Sequence, residues 1–218
     1  MISSDGKLNF PLYHGTSDYF ISKIKEHGLG GYRDQDIFSL DILRSLADAL
    51  EVSAAEWWSL QSTYVNPMLQ HRVTNGEFNF RYGGVYLTPS KSTACNYAGN
   101  CLGSEFLTVI YEMYRKLVSV NPSEAELIIP GNHPLRSVFD ADHRPVVIAL
   151  RDVKLDMLRT EQGEPVEQQL NEMLFKQNFG ETFDVDRGWQ QFNFELIGSI
   201  DWSLINVVFL DVSEIGGD

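Results

Sequence analysis

Apolar runs of strand length crowd the two ends of this chain, and that distribution limits the folds open to it more than any other feature. LNFPLYH at 8–14 alternates well enough for a strand, and Pro11 marks an edge or a strand start. GGVYL at 83–87 is a short strand after a turn, FLTVIYEMY at 106–114 is a long alternating apolar run, and PVVIAL at 145–150 is another strand. FNFELIGSI at 192–200 and INVVFLDV at 205–212 then read as two strands joined by a tight corner. Strands gathered at both ends predict an α+β domain on antiparallel sheet rather than a doubly wound parallel one.

Helical periodicity fills the spaces between. In DYFISKIKEHGLGG at 18–31, Phe20, Ile21, Ile24 and Leu29 fall near helical spacing, and Gly28, Gly30 and Gly31 end the run. Residues 39–62 give a helix pair, with Ile42, Leu43, Leu46 and Leu50 on one face and a capping box from Ser53 to Glu56 opening the second helix. This pair reads as a helical insert at about 37–70, between two sheet elements of a single domain spanning 1–218. SKSTACNYA predicts a helix begun near Ser90 behind Pro89 and stopped at Gly99. VEQQLNEMLFKQ predicts another, with Leu170, Met173 and Leu174 facing one way.

A length of 218 residues suffices to bury one core. The formal net charge of −13 disfavours broad phosphate neutralisation, so nonspecific nucleic-acid binding is not expected. No apolar stretch approaches the roughly 18 residues of a membrane span, and no basic-then-apolar leader opens the chain, so the expected place is the cytoplasm, or outside it by a route without a cleaved signal. Cys95 and Cys101 form no CxxC pair and the five histidines are scattered, so neither a disulfide nor a metal site is expected.

Three stretches carry chemistry in chain order: YHGTS at 13–17, GGVYL with NYA between 83 and 98, and FELIGSI at 194–200. Together they resemble the three-part signature of ADP-ribosyltransferases of the diphtheria-toxin and poly(ADP-ribose) polymerase branch, in which His, Tyr and Glu come from separate strands. The resemblance spans nearly the whole chain and implies a split antiparallel β-sheet core, with NAD as co-substrate and no metal. It implies that His14 bonds a ribose hydroxyl, that the Gly15 backbone receives the nicotinamide carboxamide, and that Thr16 adds a hydroxyl. Tyr86 and Tyr97 fall where the family stacks the nicotinamide ring, a geometry that offset stacking favours by about 0.5 to 1.5 kcal/mol per pair. Glu195 falls where the family's carboxylate bonds the ribose 2′-hydroxyl and stabilises the positive charge that develops on the sugar.

Departures from the family pattern narrow the expectation. Ala94 stands where polymerase-type members carry a serine, whose hydroxyl is either absent here or supplied by Ser92 or Thr93. Asn193, two positions before Glu195, replaces the second acid or glutamine of the arginine-modifying branch and argues against arginine as acceptor. The implied activity is transfer of ADP-ribose to a macromolecular acceptor, protein in preference to nucleic acid, in a toxin or effector setting that would bring a cognate inhibitor or antitoxin. The alternatives are an NAD glycohydrolase, an RNA 2′-phosphotransferase-like enzyme, or a silent relative that binds NAD or a partner. The stretch LADALEVSAAEWWSLQ also resembles helix-turn-helix repressors, but Glu51 in the turn and a second helix without Lys or Arg count against DNA reading. Arg33, Arg72 and Arg81 could face a pyrophosphate or be solvated surface residues.

Overall fold

The structure is a computed structural model that describes residues 2–70, 84–100, 102–161, 163, 165–177 and 185–211. Arg72, Arg81, Gly83 and Cys101, named above, lie outside the described residues. The chain divides into two compact units, one from residues 1–32, 84–103 and 143–218 and one from 33–83 and 104–142.

Among its described residues, the first unit holds two small antiparallel sheets. Strands β1 (Leu12–Ser17), β3 (Pro145–Leu150) and β6 (Ile205–Phe209) form one in the order β1-β3-β6. Strands β2 (Val85–Leu87), β4 (Leu158–Thr160) and β5 (Phe194–Leu196) form the other in the order β2-β5-β4. The two predicted C-terminal strands therefore pair in different sheets. The stretch between them turns at Gly198, where φ is +81°, and bridges Ile200 to Leu29.

β1 starts immediately after Pro11, whose missing N–H would have left a gap in the ladder, and runs on to Ser17. Its alternation decides which face is buried: Leu12 packs with Ile148, Leu150, Leu87 and Phe194 in the main core. Helices α1 (Ile21–His27), α4 (Lys91–Asn100), α8 (Glu167–Gln177) and α9 (Val185–Gly188) complete the unit. Gly28 ends α1 at φ +78°, as the glycine cluster predicts. α4 continues through Gly99 to Asn100, because a single glycine inside a helix costs only about 1 kcal/mol relative to alanine. On α8, Leu170 and Met173 are buried while Leu174 is exposed, so the apolar stripe is narrower than its spacing suggests.

The second unit is helical among its described residues. It contains α2 (Leu40–Ser53), α3 (Ala55–Leu69), α5 (Glu105–Val120), α6 (Pro122–Ile128) and α7 (Pro134–Phe139). α2 buries Leu43, Leu46, Ala47 and Leu50, and α3 buries Trp58, Val65 and Met68. The Ser53 capping box does not form: α2 extends through Ser53, Ala54 is the cap residue, and it supplies no side-chain bond.

The larger correction concerns 106–114, which is not a strand. Its alternation is a short-window coincidence, since Phe106, Leu107, Val109, Ile110, Met113, Tyr114 and Leu117 are all buried at the i, i+3, i+4, i+7 spacing of a helix. The β-branched and aromatic residues that favour a strand locally are overridden by burial of that face. The helical unit accordingly reaches well beyond the pair at 37–70.

Candidate functional site

Tyr13 and Thr88 exchange both backbone hydrogen bonds, at 2.7 and 2.8 Å, in an antiparallel bridge that joins β1 to the residue after β2. Backbone polar groups alternate sides along a strand, so the N–H and C=O of Gly15 face the β2 side, as those of Tyr13 do. Carried on by two residues, the same register sets Gly15 opposite Tyr86. The ladder does not continue there. The Tyr86 carbonyl instead accepts a hydrogen bond from His14 Nδ1 at 2.9 Å, and the two sheets part at this point.

A carbonyl can only accept, so Nδ1 carries the proton and the neutral ring presents Nε2 as an acceptor. Burial pushes the His14 imidazole below the ordinary histidine pKa, and its bond to the Tyr86 carbonyl offsets only part of that. The ring is therefore neutral at physiological pH. A neutral imidazole with a fixed tautomer suits acceptance of a hydrogen bond from a hydroxyl.

Tyr86 stands directly opposite Glu195 in the β2–β5 pairing. Because the backbone groups of Tyr86 face β1, this pair is of the non-hydrogen-bonded kind, with Cα atoms about 4.5 Å apart and side chains in close approach. Leu87, Phe194 and Leu196 fill the opposite face of the sheet and are buried, while Tyr86 and Glu195 are half-buried. Glu195 has no salt-bridge partner among the described residues.

Two glycines shape the space around this pair. A Cβ built at Gly84 would lie 2.9 Å from Glu195 Oε1 and 3.1 Å from its Cγ, so the carboxylate side chain occupies the room that glycine leaves. A Cβ at Gly15 would lie 2.1 Å from the Ala94 carbonyl oxygen and 2.8 Å from the Ala98 nitrogen, so the α4 backbone rests directly on β1. The same position is 3.0 Å from the Tyr97 Cβ, and Tyr97 is 48% exposed. Gly15 is thus where His14 by sequence, Tyr97 by packing and Tyr86 by register come together.

Other expected contributors are engaged elsewhere. Thr16 is buried and donates its hydroxyl to the Gly103 carbonyl at 3.3 Å, tying β1 to the segment after α4. The Thr93 hydroxyl donates to Ser90 Oγ at 2.9 Å, and the Ser92 hydroxyl lies 3.1 Å from Ser90 Oγ and accepts from Gln190 Nε2 at 3.3 Å. Ala94 is buried against β1. Both hydroxyls are therefore engaged with neighbouring side chains at the start of α4.

Asp186 anchors the start of α4, its carboxylate accepting from the Ser92 N–H at 3.1 and 3.3 Å. Burial alone would raise its pKa, but hydrogen bonds from the Ser92 hydroxyl and N–H, from Ser90 and from the Lys91 N–H outweigh that and hold it below the usual carboxylate value.

The chain matches no family model, no curated protein and no solved structure.

Two residues of the site were not singled out from the sequence. Gly84 is one; the glycine doublet before VYL was the available signal, and only the strand pairing reveals that it makes room for Glu195. Arg159 is the other. It is exposed on β4 and stands opposite Glu195 on the side away from Tyr86, so Tyr86, Glu195 and Arg159 form one row across the sheet. Nothing in its local sequence marks it.

Proposed function

We propose that this chain is an NAD-dependent ADP-ribosyltransferase on a split antiparallel sheet, transferring ADP-ribose to a macromolecular acceptor, with protein favoured over nucleic acid. The observation that carries the reading is the hydrogen bond from His14 to the Tyr86 carbonyl together with the pairing of Tyr86 and Glu195. These bring an imidazole acceptor, an aromatic ring and a carboxylate to the parting of two sheets.

The groups present fit NAD in three respects. The Gly15 N–H and C=O face the parting, and a flat primary carboxamide offers the complementary acceptor and donor. Tyr86 and the half-exposed Tyr97 offer ring faces close to that glycine. The neutral His14 presents Nε2 to a ribose hydroxyl.

In this reading Glu195 does the chemistry of charge. Rupture of the bond between C1′ of the ribose and the nicotinamide nitrogen returns the bonding pair to nicotinamide and leaves positive charge on the sugar. A carboxylate bonded to the 2′-hydroxyl, half-buried and in no salt bridge among the described residues, stabilises that charge more than it stabilises the ground state. His14 orients the nucleotide and exchanges no proton with the reacting centre. The acceptor nucleophile then forms the new bond at C1′, and any proton it carries is released to solvent.

Incubation of the purified protein with NAD labelled in the adenylate half, in the presence of a cell lysate, tests this reading. Nicotinamide release and a labelled macromolecule are expected, both lost in Glu195→Ala. Release without label would make the enzyme a glycohydrolase, and absence of both NAD binding and release would overturn the reading.

A further inference from the structure

The row Tyr86, Glu195, Arg159 has two ends of different chemistry. At one end lie the aromatic rings and the glycine backbone assigned above to nicotinamide. At the other, β4 is the edge strand among the described residues, and a cavity of about 840 Å³ borders it, lined among others by Arg159, Lys154, Asp156, Gly163 and Glu167. Arg159 is therefore the first cation met on leaving Glu195 in the direction away from the nicotinamide end. Lys154 lies on the wall of the same cavity.

The charges in this cavity are graded rather than uniform. Asp5, also on its wall, is paired with Lys7 at 2.8 Å, a contact that lowers its pKa to about 2 and keeps it ionised and neutralised. Asp156 and Glu167 then balance Arg159 and Lys154. A polyphosphate backbone would meet two carboxylates for every two cations, whereas a single carboxylate can take the Arg159 fork in a bidentate pair. The net charge of −13 adds repulsion against any polyanion approaching from a distance.

We infer that the β4 edge and its cavity are the acceptor side of the site, and that Arg159 selects a protein segment bearing an acidic side chain at or next to the modified residue. This inference rests on the transferase reading above. Arg159 is a specificity determinant here: it holds the acceptor segment beside Glu195 and takes no part in breaking the nicotinamide bond.

The test uses two synthetic peptide pools, identical except that one carries Asp and Glu where the other carries Asn and Gln, both containing serine, threonine, cysteine and histidine. A 5′-phosphorylated oligonucleotide serves as a third acceptor. Wild type is expected to label the acidic pool about 10- to 100-fold faster than the amide pool, the range of one charge-assisted recognition contact. Arg159→Ala should collapse that ratio to near one, Arg159→Lys should restore part of it, and Arg159→Glu should invert it in favour of the amide pool. Circular dichroism of each variant confirms folding, which an exposed edge-strand position tolerates. Equal labelling of the pools by wild type, or an acidic preference that survives Arg159→Ala, would each overturn the inference while leaving the transferase reading intact; preferred labelling of the oligonucleotide would overturn the inference together with the preference for a protein acceptor, and leave only the transfer of ADP-ribose standing. Failure of wild type to release nicotinamide from NAD would overturn both.

Discussion

His14 Nδ1 lies 2.9 Å from the carbonyl oxygen of Tyr86, a contact between residues 72 positions apart that takes the place of the next rung of a β-ladder. It fixes the imidazole tautomer, and it ties together the two sheets at the point where they separate. The same contact gives His14 a structural consequence that can be measured apart from catalysis.

That consequence is a pH dependence of stability. The folded-state pKa of His14 lies below the unfolded value of about 6.5, so near and below that pH the unfolded chain binds the extra proton. The contribution is constant above about pH 6.5 and is lost as pH falls through the window down to the folded pKa, at up to roughly 1.4 kcal/mol per pH unit for one proton. Urea denaturation across this range should show the slope in wild type and a reduced slope in His14→Gln, which keeps a donor for the Tyr86 carbonyl without titrating. Parallel slopes would show that His14 does not carry the effect.

Glu195→Gln keeps the shape of the side chain and removes the charge. Nicotinamide release should fall about 100- to 1000-fold with little change in NAD affinity, because the lost interaction matters most in the transition state. Steady-state kinetics beside equilibrium binding of NAD separate the two. A loss confined to KM would contradict the assigned role.

Gly84→Ala and Gly15→Ala should fail in opposite ways. At Gly84 the added methyl meets Glu195 Oε1, the far end of a flexible side chain, so the carboxylate moves. Turnover should drop by about tenfold or more from the misplacement, while stability changes by less than about 1 kcal/mol. At Gly15 the methyl meets the Ala94 carbonyl and the Ala98 nitrogen, backbone atoms of a packed helix that cannot yield. Here stability should fall by about 3 kcal/mol. Thermal melts and NAD turnover on both variants give the comparison.

Asp186→Ala removes the carboxylate that accepts from the first turn of α4, leaving the Ser92 N–H without it. A loss of about 1 kcal/mol is expected, typical of a helix N-terminal acceptor, with faster amide exchange at the start of α4. Because Asp186 is held ionised, wild type should keep this contribution throughout the neutral range and lose it only as pH falls through its lowered pKa, below the usual 3.8. Unchanged exchange at Ser92 would show that Ser90 alone caps the helix.

Much of this molecule is legible in its sequence because it is local. Pro11 sets the start of β1, the glycines from Gly28 onward end α1, Ser90 opens α4, and the apolar spacing of 39–62 yields two helices. Each follows from the dihedral freedom or missing donor of a few neighbouring residues. The candidate residues His14, Tyr86 and Glu195 are visible in the same way, as residue types set beside short strands.

Tertiary structure alone decided the rest, wherever competing local signals had to be settled by distant partners. Phe106 to Tyr114 offers both a period of two and a helical stripe, and burial of the whole stretch 105–120 selects the helix. The strands at 194–196 and 205–209 are neighbours in sequence, but hydrogen-bonding partners on other strands assign them to different sheets. Register, which no single segment contains, puts Tyr86 opposite Glu195, sets Arg159 on the far side of that carboxylate, and turns Gly84 into the space that Glu195 fills. A strand pairing is a relation between two segments, and its free energy comes from contacts neither segment has alone.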